Sequence, residues 1–219
     1  MPATPPTPAA VPDADTVTAL VTAATSAPSL HNAQPWRFHY HRESGALRLR
    51  AALDRALPHS DPHGRALHLG CAAALFNLRV AAADEGWRVP AALLPDPHDP
   101  RLLAVARLER TGGDQAGRSE IADLARLHPF LARRRSSRLP FGPERVPDPV
   151  REALRAAAEA EGAQLHLPSA WHVPSVLDQV HDAEGRDLAD PGRAAELAEW
   201  TGPVAPGPGG PSAPSPAPA

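Results

Sequence analysis

Apolar residues recur every three or four positions from Asp13 to Thr25, with Val17, Leu20, Val21 and Ala24 on one face. This spacing predicts a helix that starts at Asp13 or Asp15, either of which can cap it, and that Pro28 ends. From Arg37 to His41 the period becomes two. It is two again from Ala46 to Leu53, with Glu43-Ser44-Gly45 as a turn between the runs, which predicts a hairpin. A long helix follows from near Pro62 to just before Gly86. Leu67, Cys71, Leu75, Leu78 and Ala82 recur along it, and its middle is nearly all small or apolar, so burial on most sides is expected. Trp87 to Leu94 and Arg101 to Leu108 read as strands, and Thr111 to Gly117 as a loop. Ile121 to Leu131 reads as a helix broken at Pro129. Asp148 to Glu161 is an amphipathic helix capped by Asp148, Gln164 to Leu167 a short strand, and Pro174 to Trp200 further helix.

Composition trims both ends. Residues 1–12 are rich in Pro, Ala and Thr, and residues 201–219 collapse into Pro, Gly, Ala and Ser. Neither can build a packed core, so both are expected to be disordered. The net charge of −3 argues against a general nucleic-acid binder. A lone cysteine, Cys71, excludes an intrachain disulfide framework and a cysteine-based metal cluster, and suits a reducing cytoplasm. No apolar run is read as long enough to span a bilayer, and no leader pattern opens the chain. A cytoplasmic protein without membrane partners is expected. All 22 basic residues are arginine, and with 28 prolines this suggests a G+C-rich bacterial genome.

The chemistry concentrates in two stretches. Ser26 to Phe38 (Ser-Ala-Pro-Ser-Leu-His-Asn-Ala-Gln-Pro-Trp-Arg-Phe) joins a helical to a strand pattern. It carries an Asn, a Gln, a His and a Trp that a plain connector does not need, so it reads as a binding loop. Arg133 to Arg138 holds Arg134, Ser136 and Arg138, guanidinium forks and a hydroxyl of the kind a phosphate requires. Alone, that run reads better as a solvated basic helix end. His39 and His41 share a strand face, yet no third metal ligand is placed by spacing. Cys71 lies on an apolar helix face and reads as core. There is no Gly-x-Ser-x-Gly elbow, Walker loop or Gly-x-Gly-x-x-Gly.

Pro28-Ser29-Leu30-His31-Asn32-Ala33-Gln34-Pro35-Trp36 resembles the P-S-x-x-N-x-Q-P-W loop of the nitroreductase family of FMN enzymes. Arg134-Arg135-Ser136-Ser137-Arg138 resembles that family's R-R-S-x-R phosphate stretch, and His68 to Trp87 its long central helix. The resemblance covers roughly Asp13 to Trp200. In ordinary members the arginine stretch precedes the loop. Here it follows, as in the fused, duplicated Acg-like branch, where one lobe's loop and the other's arginines share a flavin. An echo of Val11-Pro12-Asp13 at Val146-Pro147-Asp148 agrees with a second, partial repeat.

The resemblance implies an α+β fold, with a mixed or antiparallel sheet and helices around a long central helix. It implies a first lobe over 13–132 and a partial second lobe over 133–200, apparently truncated at the C-terminus. Pro28, Ser29 and Leu30 would lie against the flavin ring and Asn32 at its edge. Arg134, Ser136 and Arg138 would hold the FMN phosphate, and Gln34 and Trp36 would brace the loop. Family members often place a lysine near the pyrimidine edge; this chain has none, which leaves Arg65 as a candidate. The implied activity is hydride transfer from NAD(P)H to a nitroaromatic, quinone or similar acceptor, with no side-chain acid or base demanded. Alternatives are a non-catalytic FMN-sequestering protein and a shortened copy with an incomplete flavin site, which partner-chain pairing in a homodimer could complete.

Overall fold

Asp13 stands where the first apolar stripe begins, and its carboxylate accepts the Thr16 N–H at 2.7 Å. That bond satisfies a free donor of the first turn, starts α1 (Ala14–Thr25) and holds the Asp13 carboxyl below its usual range. The structure, a computed structural model, describes residues 12–110, 115–137, 139, 141–169 and 171–201. The expectations for residues 1–11 and 202–219 fall outside them. α1 buries Val17, Leu20 and Ala24, the stripe the spacing marked.

α2 (Arg65–Asp84) is the central helix. It packs against α1, against the strands and against the helix that follows them. Leu67, Cys71, Ala74, Leu75 and Leu78 are buried along it. By length and composition it could cross a membrane, which corrects the reading that no apolar run is long enough. Its apolar surface is used inside the fold instead: 61% of the apolar window is buried there.

The predicted hairpin is β1 (Trp36–His41) and β2 (Ala46–Ala51), in a register that sets Trp36 against Ala51 and His41 against Ala46. Gly45 makes the turn at φ +61, where a Cβ is unwelcome. β2 pairs on its other side with β5 (Leu102–Arg107), which pairs with β4 (Ala91–Leu93). The sheet order is β1-β2-β5-β4, antiparallel throughout. Phe38 and Tyr40 lean on the core, while His39 faces the other way beside Arg48. The fold is α+β, as expected.

Several expectations about element boundaries are corrected. The strand expected over Trp87 to Leu94 is two pieces. β3 (Trp87–Arg88) pairs with β6 (Glu109–Arg110) in a separate ribbon, and Pro90, with no N–H to give a ladder, separates it from β4. The loop expected over Thr111 to Gly117 is helical from Gln115, where α3 (Gln115–Ala125) starts; residues 111–114 lie outside the described ones. The next helix breaks before Pro129, not at it. Pro129 sits in the first turn of α4 (His128–Leu131), where a missing N–H costs nothing. Asp148 does not cap α5 (Asp148–Ala160): Pro147 holds the cap position and the Asp148 carboxylate pairs with Arg151.

The chain divides into one compact unit of Met1–Ser136 with Glu196–Ala219 and another of Ser137–Ala195. The second unit holds α5, α6 (Val173–Ala189) and the start of α7 (Pro191–Thr201). The strand expected over Gln164 to Leu167 is absent, because the described residues of this unit offer no strand to pair with. None of its described residues is buried; Leu154 and Leu177 are about half exposed, at 53% and 51%.

Truncating Leu78, which is fully buried, is expected to cost about 2–5 kcal/mol through lost burial and the cavity left behind. Leu154→Ala should stay within about 0.5 kcal/mol of the parent. Denaturant melts of both variants check the contrast.

Candidate functional site

The loop after α1 is a folded object. Ser29 Oγ accepts the Gln34 N–H at 2.9 Å. The Asn32 N–H reaches the Ser29 carbonyl at 3.1 Å and the Ala33 N–H the Leu30 carbonyl at 2.9 Å, closing a 3₁₀ turn over Leu30–Asn32. His31, Asn32 and Gln34 have φ of 49, 57 and 52, all left-handed and none of them glycine. Each costs on the order of 1 kcal/mol and persists only where the surroundings over-determine it.

The surroundings do so here. Arg55 Nη1 donates to the Ala33 carbonyl at 3.1 Å. The Pro35 carbonyl accepts from the Ala52 N–H at 2.9 Å and from the Cys71 thiol at 3.2 Å. Burial pushes the Cys71 thiol up to about 12, so it stays neutral and remains a donor. Gly70 lets α2 come close: a Cβ there would sit 3.4 Å from Ser29 Cβ and 3.6 Å from Pro35 Cγ. Trp36 is buried in the core at the loop's far end. Pro28 and Asn32 are exposed, and Ser29 and Leu30 half-buried. Behind the loop, a cavity lined by Leu30, Pro35, Arg55 and Leu67 has room for about one water, so a ring-sized ligand would lie on the outer surface.

Geometry sorts the arginine run. Arg133 lies over the Phe130 ring at 5.5 Å. Arg135 bonds to the Ala132 and Arg134 carbonyls. Among the described arginines of the run, Arg134 reaches the loop: its Nη2 donates to the Ser26 carbonyl at 3.4 Å and its Nη1 lies 3.2 Å from Ser136 Oγ. Arg134 and Ser136 are exposed, and among the described residues Arg134 pairs with no carboxylate. An exposed guanidinium beside a hydroxyl, uncommitted to any acid, fits an anion such as a phosphate. Arg138 lies outside the described residues. Arg65 is exposed at the first position of α2. His39 and His41 are exposed, and no group of three or more metal-ligating side chains occurs among the described residues.

Two residues near this region went unmarked in the sequence. Asn77, a polar break in the apolar run of α2, is buried, and its Nδ2 donates to Ser26 Oγ at 3.2 Å. Its signal was the amide itself, standing inside a run that is otherwise nearly all small or apolar. Glu196 is buried too. Its carboxylate accepts the His59 and Ser60 N–H groups, each at 2.9 Å, and so secures the segment that leads into α2. Burial works to raise the Glu196 carboxyl, but those donors outweigh it and hold the group below its ordinary 4.5. No local pattern predicts a contact 137 residues apart.

No family model matches the chain. It is similar to two Mycobacterium tuberculosis proteins named "Putative NAD(P)H nitroreductase". With Rv3131 it is 36% identical over 197 residues, which cover 87% of this chain and 52% of that protein. With acg it is 34% identical over 188 residues, covering 86% and 54%. The chain spans about half the length of the curated relatives it matches. Among solved structures it is similar to a nitroreductase family protein from Streptococcus pneumoniae, with a TM-score of 0.41 and 18% identity, over 60% of this chain and 88% of that one.

Two outcomes are expected. Ser29→Ala removes the acceptor of the Gln34 N–H, and that amide should exchange with solvent at least about tenfold faster, as loss of roughly 1.5 kcal/mol implies. Hydrogen exchange reads it. Because the Glu196 carboxyl is depressed in the folded chain, its contribution is present above about pH 4.5 and fades as pH falls through the folded value. Glu196→Gln should therefore melt below the parent at pH 7 and converge with it in acid, as thermal melts across pH will show.

Proposed function

We infer that this chain, which resembles the Acg-like nitroreductases over most of its length, binds FMN and works as an NAD(P)H-dependent oxidoreductase. The acceptor class would be nitroaromatics, quinones or similar small molecules. One observation carries the reading. Arg134, which pairs with no carboxylate among the described residues, donates to the Ser26 carbonyl at 3.4 Å, two residues before the Pro28 to Leu30 wall, where Pro28 is exposed and Ser29 and Leu30 are half-buried. An anion grip and a flat apolar edge lie together, as a phosphate-bearing ring compound needs.

In this reading Arg134 and Ser136 hold the phosphate. Pro28, Ser29 and Leu30 flank the ring, and Asn32, exposed with its backbone in the left-handed region, presents an amide at the ring edge. The loop's hydrogen bonds fix these groups before any ligand arrives. Bound FMN would supply the redox chemistry, and the chain supplies binding and orientation.

A reading as an FMN-holding protein without turnover is favoured by one feature. The chain contains no lysine, so the cation that resembling proteins often place near the pyrimidine edge would have to be an arginine such as Arg65. Anaerobic NADPH separates the two readings: bleaching of the flavin absorbance supports the reductase, and a spectrum that stays unchanged supports the holding protein.

The purified protein is expected to show a flavin spectrum, and Arg134→Ala to weaken FMN by at least about tenfold while leaving riboflavin within about twofold, as loss of one charge-assisted bond implies. A colourless protein whose melting midpoint does not move in saturating FMN would overturn the reading.

A further inference from the structure

Asn77 occupies a place where leucine or methionine would pack as well. Its side chain is buried in α2, and a buried amide is retained only with partners. Its Nδ2 finds two, Ser26 Oγ at 3.2 Å and the Ala23 carbonyl at 3.5 Å. Ser26 Oγ is oriented to accept, because its own proton goes to the Ala23 carbonyl at 2.7 Å. The Ser26 backbone is then held from a second direction. Its N–H caps α1 on the Ala23 and Ala24 carbonyls, and its carbonyl accepts from Arg134. Asn77 and Arg134 thus meet on one residue, through its hydroxyl and its carbonyl.

We propose that Asn77 is a positioning residue for the phosphate grip. It fixes Ser26 against the end of α1, and the Ser26 carbonyl then holds the Arg134 guanidinium turned toward Ser136 and the ligand phosphate. Asn77 itself touches no ligand. The proposal rests on the FMN reading above. Its physical basis is preorganisation: an exposed arginine loses rotamer freedom when an anion captures it, and a carbonyl that already holds it removes part of that loss. The contribution is therefore specific to the phosphate and passes entirely through Arg134.

A double-mutant cycle tests this. FMN and riboflavin are titrated by flavin fluorescence against the full chain, Asn77→Ala, Arg134→Ala and the pair. Asn77→Ala is expected to weaken FMN by about fivefold and riboflavin by less than about twofold, and to add nothing once Arg134 is gone. If Asn77→Ala weakens both flavins alike, or its effect multiplies with that of Arg134→Ala, Asn77 merely supports the helix pair and the proposal fails. Should melting show that Asn77→Ala does not fold, Ser26→Ala replaces it, since it removes the hydroxyl link without opening the core. Selective weakening of FMN then sustains the proposal, and unchanged FMN affinity overturns it. A parent chain that binds neither flavin overturns the FMN reading and this inference together. A parent that binds FMN while the cycle is additive overturns this inference alone.

Discussion

The first unit depends on how closely α2 lets other backbone approach it. The helix is buried along most of its length, yet much of what it buries is small: Gly70, Cys71, Ala74, Ala81 and Ala82 carry little volume. Small side chains give up hydrophobic surface that leucines would supply. They gain proximity. Pro35 reaches the Cys71 thiol, and Ser29 comes to ordinary contact with the position a Gly70 Cβ would take. The loop's left-handed residues follow from this. A chain that turns between α1 and β1 while pressed against α2 has little choice of conformation, so the strain at His31, Asn32 and Gln34 is offset by packing elsewhere.

This explains what was legible in the sequence. The stripe of α1, the apolar run of α2 and the alternation of the hairpin are periodic signals, and burial of one face enforces each. That Ser26 to Phe38 is more than a plain connector was legible because its side chains exceed what a connector needs. What escaped were effects of non-local pairing. Pro90 divides a strand only because two different partners lie on either side of it, and Gln164 to Leu167 has strand-forming composition but no strand to ladder with among the described residues of its unit. Among Arg133, Arg134 and Arg135, the sequence singles out Arg134 by resemblance of motif and by no local physical signal, since all three are arginine in one turn. An aromatic ring, two carbonyls and Ser26 sort them. Glu196 leaves no trace, because its partners are backbone N–H groups that every residue but proline carries.

The second unit shows the opposite balance. α5 and α6 have well-formed amphipathic patterns, yet Val150, Leu154, Val176, Leu177 and Val180 remain open to solvent. Local propensity and internal helix bonds give such helices their shape, while tertiary burial gives most helices their stability. In this chain the two are divided between the units. The first has the core, with Leu47, Leu78 and Val80 fully enclosed. The second has helices whose apolar stripes are not enclosed by its own described residues.

That division bears on where ligand chemistry can be precise. A contact is only as well placed as the backbone beneath it. Each group placed in the candidate site within the first unit traces back to the buried helix by a short series of bonds. Leu30 and Asn32 reach it through Ser29, Pro35 and the Cys71 thiol. Arg134 reaches it through Ser26 and the Asn77 amide. Both series end on α2, at Cys71 and Asn77, six positions apart. A displacement of that helix would move the loop and Arg134 together and preserve their spacing. The strained loop and the tethered arginine are thus two consequences of one packed helix, and their mutual geometry is set by folding before any ligand is met.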